Sequence, residues 1–235
     1  RGLGDVYKRQ AIYRALLGKN YLGAEVWSSQ GIKVAPVPPL PGAITEALLH
    51  AECPLHPGEK IKDTHLLVLV PQTVNGEPYS ALKLRELCAT RKGSGDKLIF
   101  EGTNWATSWT RQPWASRPQA ESEWVLLPKS EPDPTTVPKG KDHFRSKDIA
   151  AQQKVHDDHY QEYREVKTVE LMTAALLFDL AHKERLLSDH LRCEEPNAAG
   201  GRVYVGCFLT NGLEVNCDEP DRAHVFIGRA LARKL

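Results

Sequence analysis

Several features that would narrow a function are missing from this sequence. No apolar run approaches the roughly 20 residues needed to span a bilayer; the longest, Leu66–Val70 and Ala174–Phe178, are closed by Pro71 and Asp179. Neither sign of charge dominates, with 31 basic against 30 acidic residues and a formal net charge of +1. Bulk electrostatics therefore offers nothing to nucleic acid or to an anionic membrane. There is no Cys-x-x-Cys, and Cys53, Cys88, Cys193, Cys207 and Cys217 are odd in number and widely spread. That pattern argues against a disulfide framework and for a reducing, cytoplasmic setting. Walker loop, dinucleotide fingerprint, nucleophile elbow and zincin helix are all absent, and no cofactor is indicated. Arg91–Gly95 combines glycine with positive charge but lacks the ordered spacing that cradles phosphate, so it reads as a solvated loop.

What remains is the material of one soluble domain: 235 residues, 41% hydrophobic and 26% charged, enough to bury a core behind an ordinary surface. Asp5–Gln10 (Asp-Val-Tyr-Lys-Arg-Gln) resembles the translation of a transposase end sequence used in short-read sequencing libraries. Residues 1–10 are therefore expected to lie outside the fold, with the natural N-terminus missing. Residues 11–42 read as an N-terminal extension ending in a linker, because Pro36-Val-Pro-Pro-Leu-Pro41 suits neither a helix nor a central strand. Residues 43–235 form the expected single α+β domain.

Within it, Thr64–Pro71 is the clearest strand, and its unbroken apolar character predicts burial on both faces. Short helices are expected around Ile44–Ala51 and Leu82–Cys88, and strands at Leu98–Phe100 and Ser122–Leu127. A polar helix over 147–166 and an apolar one over 168–187 suggest a pair packed on one face of an antiparallel or mixed sheet, the second buried beneath the first. Strands return at Arg202–Leu209, Leu213–Asn216 and Val225–Ala232. Asn211-Gly212 signals a C-terminal β-hairpin. With those two residues as its loop, Phe208 faces Val215 and the thiols of Cys207 and Cys217 point to opposite faces.

Three groups of residues could carry function. Trp105, Trp109 and Trp114, interleaved with Arg111 and Arg117, lie in a loop whose composition resembles ligand and protein interfaces; the alternative is a loop folded over the sheet to complete the core. Asn216–His224, with Asp218, Asp221 and Arg222, is a polar loop between strands, a common place for binding and also ordinary turn chemistry. His156 and His159, at i and i+3 on a helix, could share a metal with His182, His190 or Cys193; packing over the buried helix explains them equally. A second histidine group, His50, Cys53, His56 and His65, is broken by Pro54 and Pro57. No acid, base and nucleophile stand at a telling spacing, so a module binding some ligand or protein partner is favoured over a metal-dependent enzyme.

Cys53-Pro54, Gly58–Pro71, Thr73–Pro78, Ser122–Leu127, Leu191–Glu195, Val205–Phe208 and Arg229–Lys234 together resemble a family of bacterial proteins met in chlamydia-like and other environmental bacteria, often as one region of a longer chain. The resemblance covers roughly Ile44 onward and implies no activity, since none is established for the family. Arg202–Lys234 is also similar to the closing strands of C-type-lectin-like domains of the formylglycine-generating type, where a last strand follows a variable loop. The Gly-Gly-Ser-Trp pattern usual there is absent.

Overall fold

The computed structural model describes residues 3–89, 99–101, 109–132, 137, 140–197, 200–209 and 212–235. The chain opens with helix α1 (Leu3–Leu17), then strand β1 (Tyr21–Leu22), α2 (Ala24–Ser29) and β2 (Val34–Ala35). Helices α3 (Glu46–His50) and α4 (Ile61–Thr64) precede β3 (His65–Val70). A β4–β5 turn (Thr73–Val74, Glu77–Pro78) leads to α5 (Ala81–Ala89), β6 (Ile99–Glu101) and β7 (Glu123–Pro128). Then come α6 (Ile149–His159), β8 (Tyr163–Glu165), α7 (Thr168–His182), β9 (His190–Pro196), β10 (Arg202–Leu209), β11 (Gly212–Cys217), β12 (Ile227–Arg229) and β13 (Leu231–Arg233). Helices and strands are mixed as an α+β protein requires. Among the described residues no helix is long and apolar enough to cross a membrane.

Two sheets organise the core. The first runs β1-β3-β7-β13-β8 and the second β12-β9-β10-β11-β6. Every residue of β3 is buried, and its alternation explains the unbroken apolar run. Leu66, Val68 and Val70 enter one apolar cluster, and Leu67 and Leu69 a second cluster on the other face. β7 divides the same way, Val125 and Leu127 against Trp124 and Leu126. The first cluster fills the space between the sheets, where it also takes Leu191, Val203, Val205, Leu213 and Val215. Helix α7 lies there, packed on β1 and β3 of one sheet and on β9 and β10 of the other. A helix between two sheets has no solvated face, so α7 is apolar nearly all round. Its start is fastened by Arg164, which grips the buried Glu170 carboxylate through two bonds of 2.9 Å.

The expected helix pair needs correcting. The helix over 147–166 stops at His159, and residues 163–165 become β8, which pairs with β13. Tyr160, fully buried, departs from helical backbone and donates its hydroxyl to the Asp142 carbonyl at 2.9 Å. Nor does α6 cover α7. Its buried Val155 joins Tyr13, Leu49 and Ile61 on the opposite face of the first sheet, so helices lie on both faces of that sheet.

The 11–42 segment runs through the core rather than ahead of it. Tyr21 and Leu22 pair in parallel with Leu67 and Val68. Trp27 is fully buried and donates to the Leu69 carbonyl at 3.1 Å. The proline-rich stretch crosses the sheet as a strap: Val34–Ala35 pairs with Thr73–Val74, and Trp124 donates to the Pro38 carbonyl at 3.0 Å. Residues 1–10, expected to stand clear, are partly engaged, since Arg9 donates to the Pro41 and Ile44 carbonyls at 3.1 and 2.7 Å.

The C-terminal hairpin forms, but in a different register. Phe208 faces Leu213 and Val205 faces Val215, with a bulge between Gly206 and Phe208. Gly212, at φ 106°, belongs to the strand and pairs with Leu209. The extra residue in β10 is Cys207.

Candidate functional site

The outer face of the second sheet carries the site. Because Leu191, Val203, Val205, Leu213 and Val215 face inward, the alternate residues of β9, β10 and β11 face outward. They stand in two cross-strand rows, His190–Gly206–Glu214 and Arg192–Tyr204–Asn216. In the first row the middle strand contributes no side chain, and the outer two meet above it. His190 Nε2 lies 3.0 Å from Glu214 Oε2, and Tyr204 donates to Glu214 Oε1 at 3.3 Å. The His190 ring stands edge-on to Tyr204 with centroids 5.0 Å apart. His190 holds the Glu214 carboxyl below its usual range, and burial pushes the Tyr204 hydroxyl up.

The second row fastens a loop over this face. Arg192 is 3% exposed and forms a buried ion pair with Asp218. It also donates to the carbonyls of Arg222, at 2.8 Å, and Lys147, at 3.0 Å. The Asp218 amide donates to the Arg202 carbonyl at 2.9 Å, and His224 Nε2 lies 3.7 Å from Asp218 Oδ1. The loop from Asp218 to Phe226 thus stands over the strands and encloses a cleft of about 580 Å³. His190, Tyr204 and Glu214 line it from the sheet, and Arg222, His224 and Phe226 from the loop; Cys207 and Cys217 also border it. Phe226 is 64% exposed, and Val225 beside it 55%.

Behind the cleft lies a further charged group. Asp189, on its wall, accepts from Arg145 at 2.8 Å, and Arg145 also binds Glu131 at 2.5 Å. Glu131 is packed against Gly228, where an added Cβ would fall 1.5 Å from Glu131 Oε2. Burial outweighs the arginine and raises the Glu131 carboxyl to about 7.

The residues singled out in the sequence fare unequally. Asp218 and Arg222 border the cleft, while Asp221 sits exposed on the loop and is not part of the lining. Trp105 lies outside the described residues. Trp109 and Trp114 are 1% and 8% exposed and stacked 6.0 Å apart; they belong to the inter-sheet core with Leu213. The loop folded over the core is thus the reading that holds for them, while Arg111 and Arg117 lie at the surface. The metal arrangement does not form. His156 directs its ring nitrogens to Asp157, at 3.1 Å, and to the Tyr163 carbonyl, at 3.0 Å. His182 packs edge-on to Phe178 on α7, and His159 on Tyr160. Among the described residues no three His, Cys, Asp or Glu side chains converge on a common point. The second histidine group is likewise separated: His65 is buried between Thr64, at 2.9 Å, and Tyr163, at 3.1 Å, whereas His56 reaches Ser130.

Sequence reasoning weighed His190 only as a metal ligand and Cys207 only as a partner for Cys217, and passed over Tyr204 and Glu214. Their signal was present in the polar positions alternating with the apolar ones of β9–β11. Reading it required the register, which the bulge shifts. No family model, curated protein or solved structure matches the chain.

Proposed function

We propose that the chain is a binding module whose small polar ligand occupies the cleft between the β9–β11 face and the Asp218–Phe226 loop. One observation carries this reading. The loop is tied from beneath by the buried Arg192–Asp218 pair, while Arg222, His224 and Phe226 remain at the rim. A rim held by its backbone keeps its recognition groups in place before a ligand arrives, which lowers the ordering cost of binding. Guanidinium, imidazole and phenyl together suit a ligand with one anionic group beside a flat apolar part. The likeness of Arg202–Lys234 to the closing strands of C-type-lectin-like domains is in keeping with this, as a variable loop on rigid strands.

Benzoate and phenyl phosphate are suitable probes for a thermal-shift titration. A ligand at a hundred times its Kd stabilises by about 2.7 kcal/mol, so wild type should melt several degrees higher with one of them. Arg222→Ala and Phe226→Ala should lose most of that gain. Equal shifts in wild type and both variants would place the probes elsewhere and count against the cleft.

A further inference from the structure

The cleft holds more polar chemistry than binding alone requires. Cys207 is the extra residue of the β10 bulge and the only cysteine among the described residues with a positive φ, 36°. Side chains rarely adopt that backbone region, and such residues collect where function holds them. Two backbone relations bring its main chain alongside the start of β9. Its neighbour Gly206 stands directly opposite His190 in the β9–β10 register, and its own N–H donates to the Asp189 carbonyl at 3.3 Å. The bulge matters because strict alternation would turn residue 207 toward the core, as it does Val203 and Val205; the inserted residue instead borders the cleft with Tyr204. His190 borders the same cleft already oriented, its Nε2 lying 3.0 Å from Glu214 Oε2.

We infer that Cys207 is a nucleophilic thiol served by the His190–Glu214 pair, and that the cleft carries out acyl transfer from a small ester or thioester. The inference rests on the reading of the cleft as a ligand site. Cys207 Sγ attacks the acyl carbon and its proton passes to His190. The bond from that carbon to the leaving oxygen or sulfur breaks as His190 returns the proton to the leaving group. Water, deprotonated by His190, then hydrolyses the Cys207 thioester, releasing the carboxylic acid and restoring the thiol. No oxidant or metal enters the balance. Glu214 acts as a positioning residue through the imidazole, and Arg222 and His224 face the site from the loop. Cys217 borders the same cleft, but burial pushes its thiol up to about 11, which makes it an internal reference.

The test needs no knowledge of the natural substrate. Alkylation of Cys207 and Cys217 by iodoacetamide is followed by mass spectrometry from pH 5 to 9, and p-nitrophenyl acetate serves as acyl donor. Cys207 should react at least tenfold faster than Cys217 at pH 7 and should carry the acetyl group released with p-nitrophenolate. His190→Asn should move the Cys207 profile to higher pH and cut its rate at pH 7 about tenfold. Should that variant not fold, Glu214→Gln, which keeps a hydrogen-bond acceptor, must move the profile in the same direction. Equal reactivity of the two cysteines, or a Cys207 profile unmoved by the substitution that folds, overturns the thiol assignment. Failure of the thiol and failure of the cleft are separable: wild type that keeps the benzoate or phenyl phosphate shift while Cys207 reacts no faster than Cys217 overturns the chemistry alone, whereas loss of the shift counts against the cleft.

Discussion

At Glu131 two influences compete, and their balance sets a dependence on pH. Arg145 stabilises the carboxylate, yet burial costs it more, so the native carboxyl titrates near 7 against 4.5 for the unfolded chain. Between those values the native state keeps a proton that the unfolded state has released. Stability therefore falls as pH rises from about 4.5 to 7, by an amount on the order of 3 kcal/mol if no other group compensates. Glu131→Gln should flatten that slope in urea titrations at a series of pH values; an unchanged slope would assign it to other groups. His65 acts in the other direction. Burial lowers its imidazole to about 3 from 6.5, so stability present above pH 6.5 is lost as the pH falls and the unfolded chain takes up a proton. Gly206 is a residue-scale test of geometry rather than charge. An added Cβ would lie 2.1 Å from the Asp189 carbonyl oxygen and 2.4 Å from His190 Cα, both backbone atoms at the entry to β9 with little room to retreat. Gly206→Ala should cost ~1–3 kcal/mol, as overpacking does, read as a lower denaturation midpoint.

Among the elements, the Asp218–Phe226 loop is the one anchored at its start by a buried ion pair. Asp218→Ala would leave the Arg192 guanidinium, 3% exposed, without its carboxylate. Removing one member of a buried pair costs ~3–5 kcal/mol. Hydrogen exchange should show the loop amides losing protection before those of β3, whose six residues are all buried; uniform loss across the chain would mean that the loop is not an independent unit. The same contrast explains what could be read in advance. β3 announced itself through composition, since only a strand covered on both faces tolerates the five apolar residues Leu66–Val70 in a row. The Cys207 bulge announced itself nowhere, because one inserted residue changes register without changing pattern, and it moved the site out of view. α6 misled for a related reason. Tyr160 and Tyr163 continue a helical polar pattern on paper, but burial of both rings, at 0% exposure, draws the chain off the helix and into β8. The tryptophans could be read either way, as aromatics flanked by arginine and proline can cover a core as well as a ligand.

For the whole molecule, the N-terminal segment is a structural part of the first sheet. Trp27, 0% exposed and edge-on to Tyr79 at 5.7 Å, should cost ~3–5 kcal/mol when changed to alanine, measured by equilibrium denaturation. A loss below ~0.5 kcal/mol, the usual effect of a surface change, would restore residues 11–42 to the role of an appendage. The chain also closes its sheet late. β13, which comes after every other described strand, is inserted between β7 and β8. During synthesis β8 therefore leaves the ribosome with no neighbour to pair with until the polypeptide reaches Leu231, and α7 is made before either side of its slot is complete. Vectorial folding of the early strands alone cannot finish this molecule. Its nascent forms expose the apolar faces of β7 and α7 to water or to a chaperone for as long as translation of the last third takes.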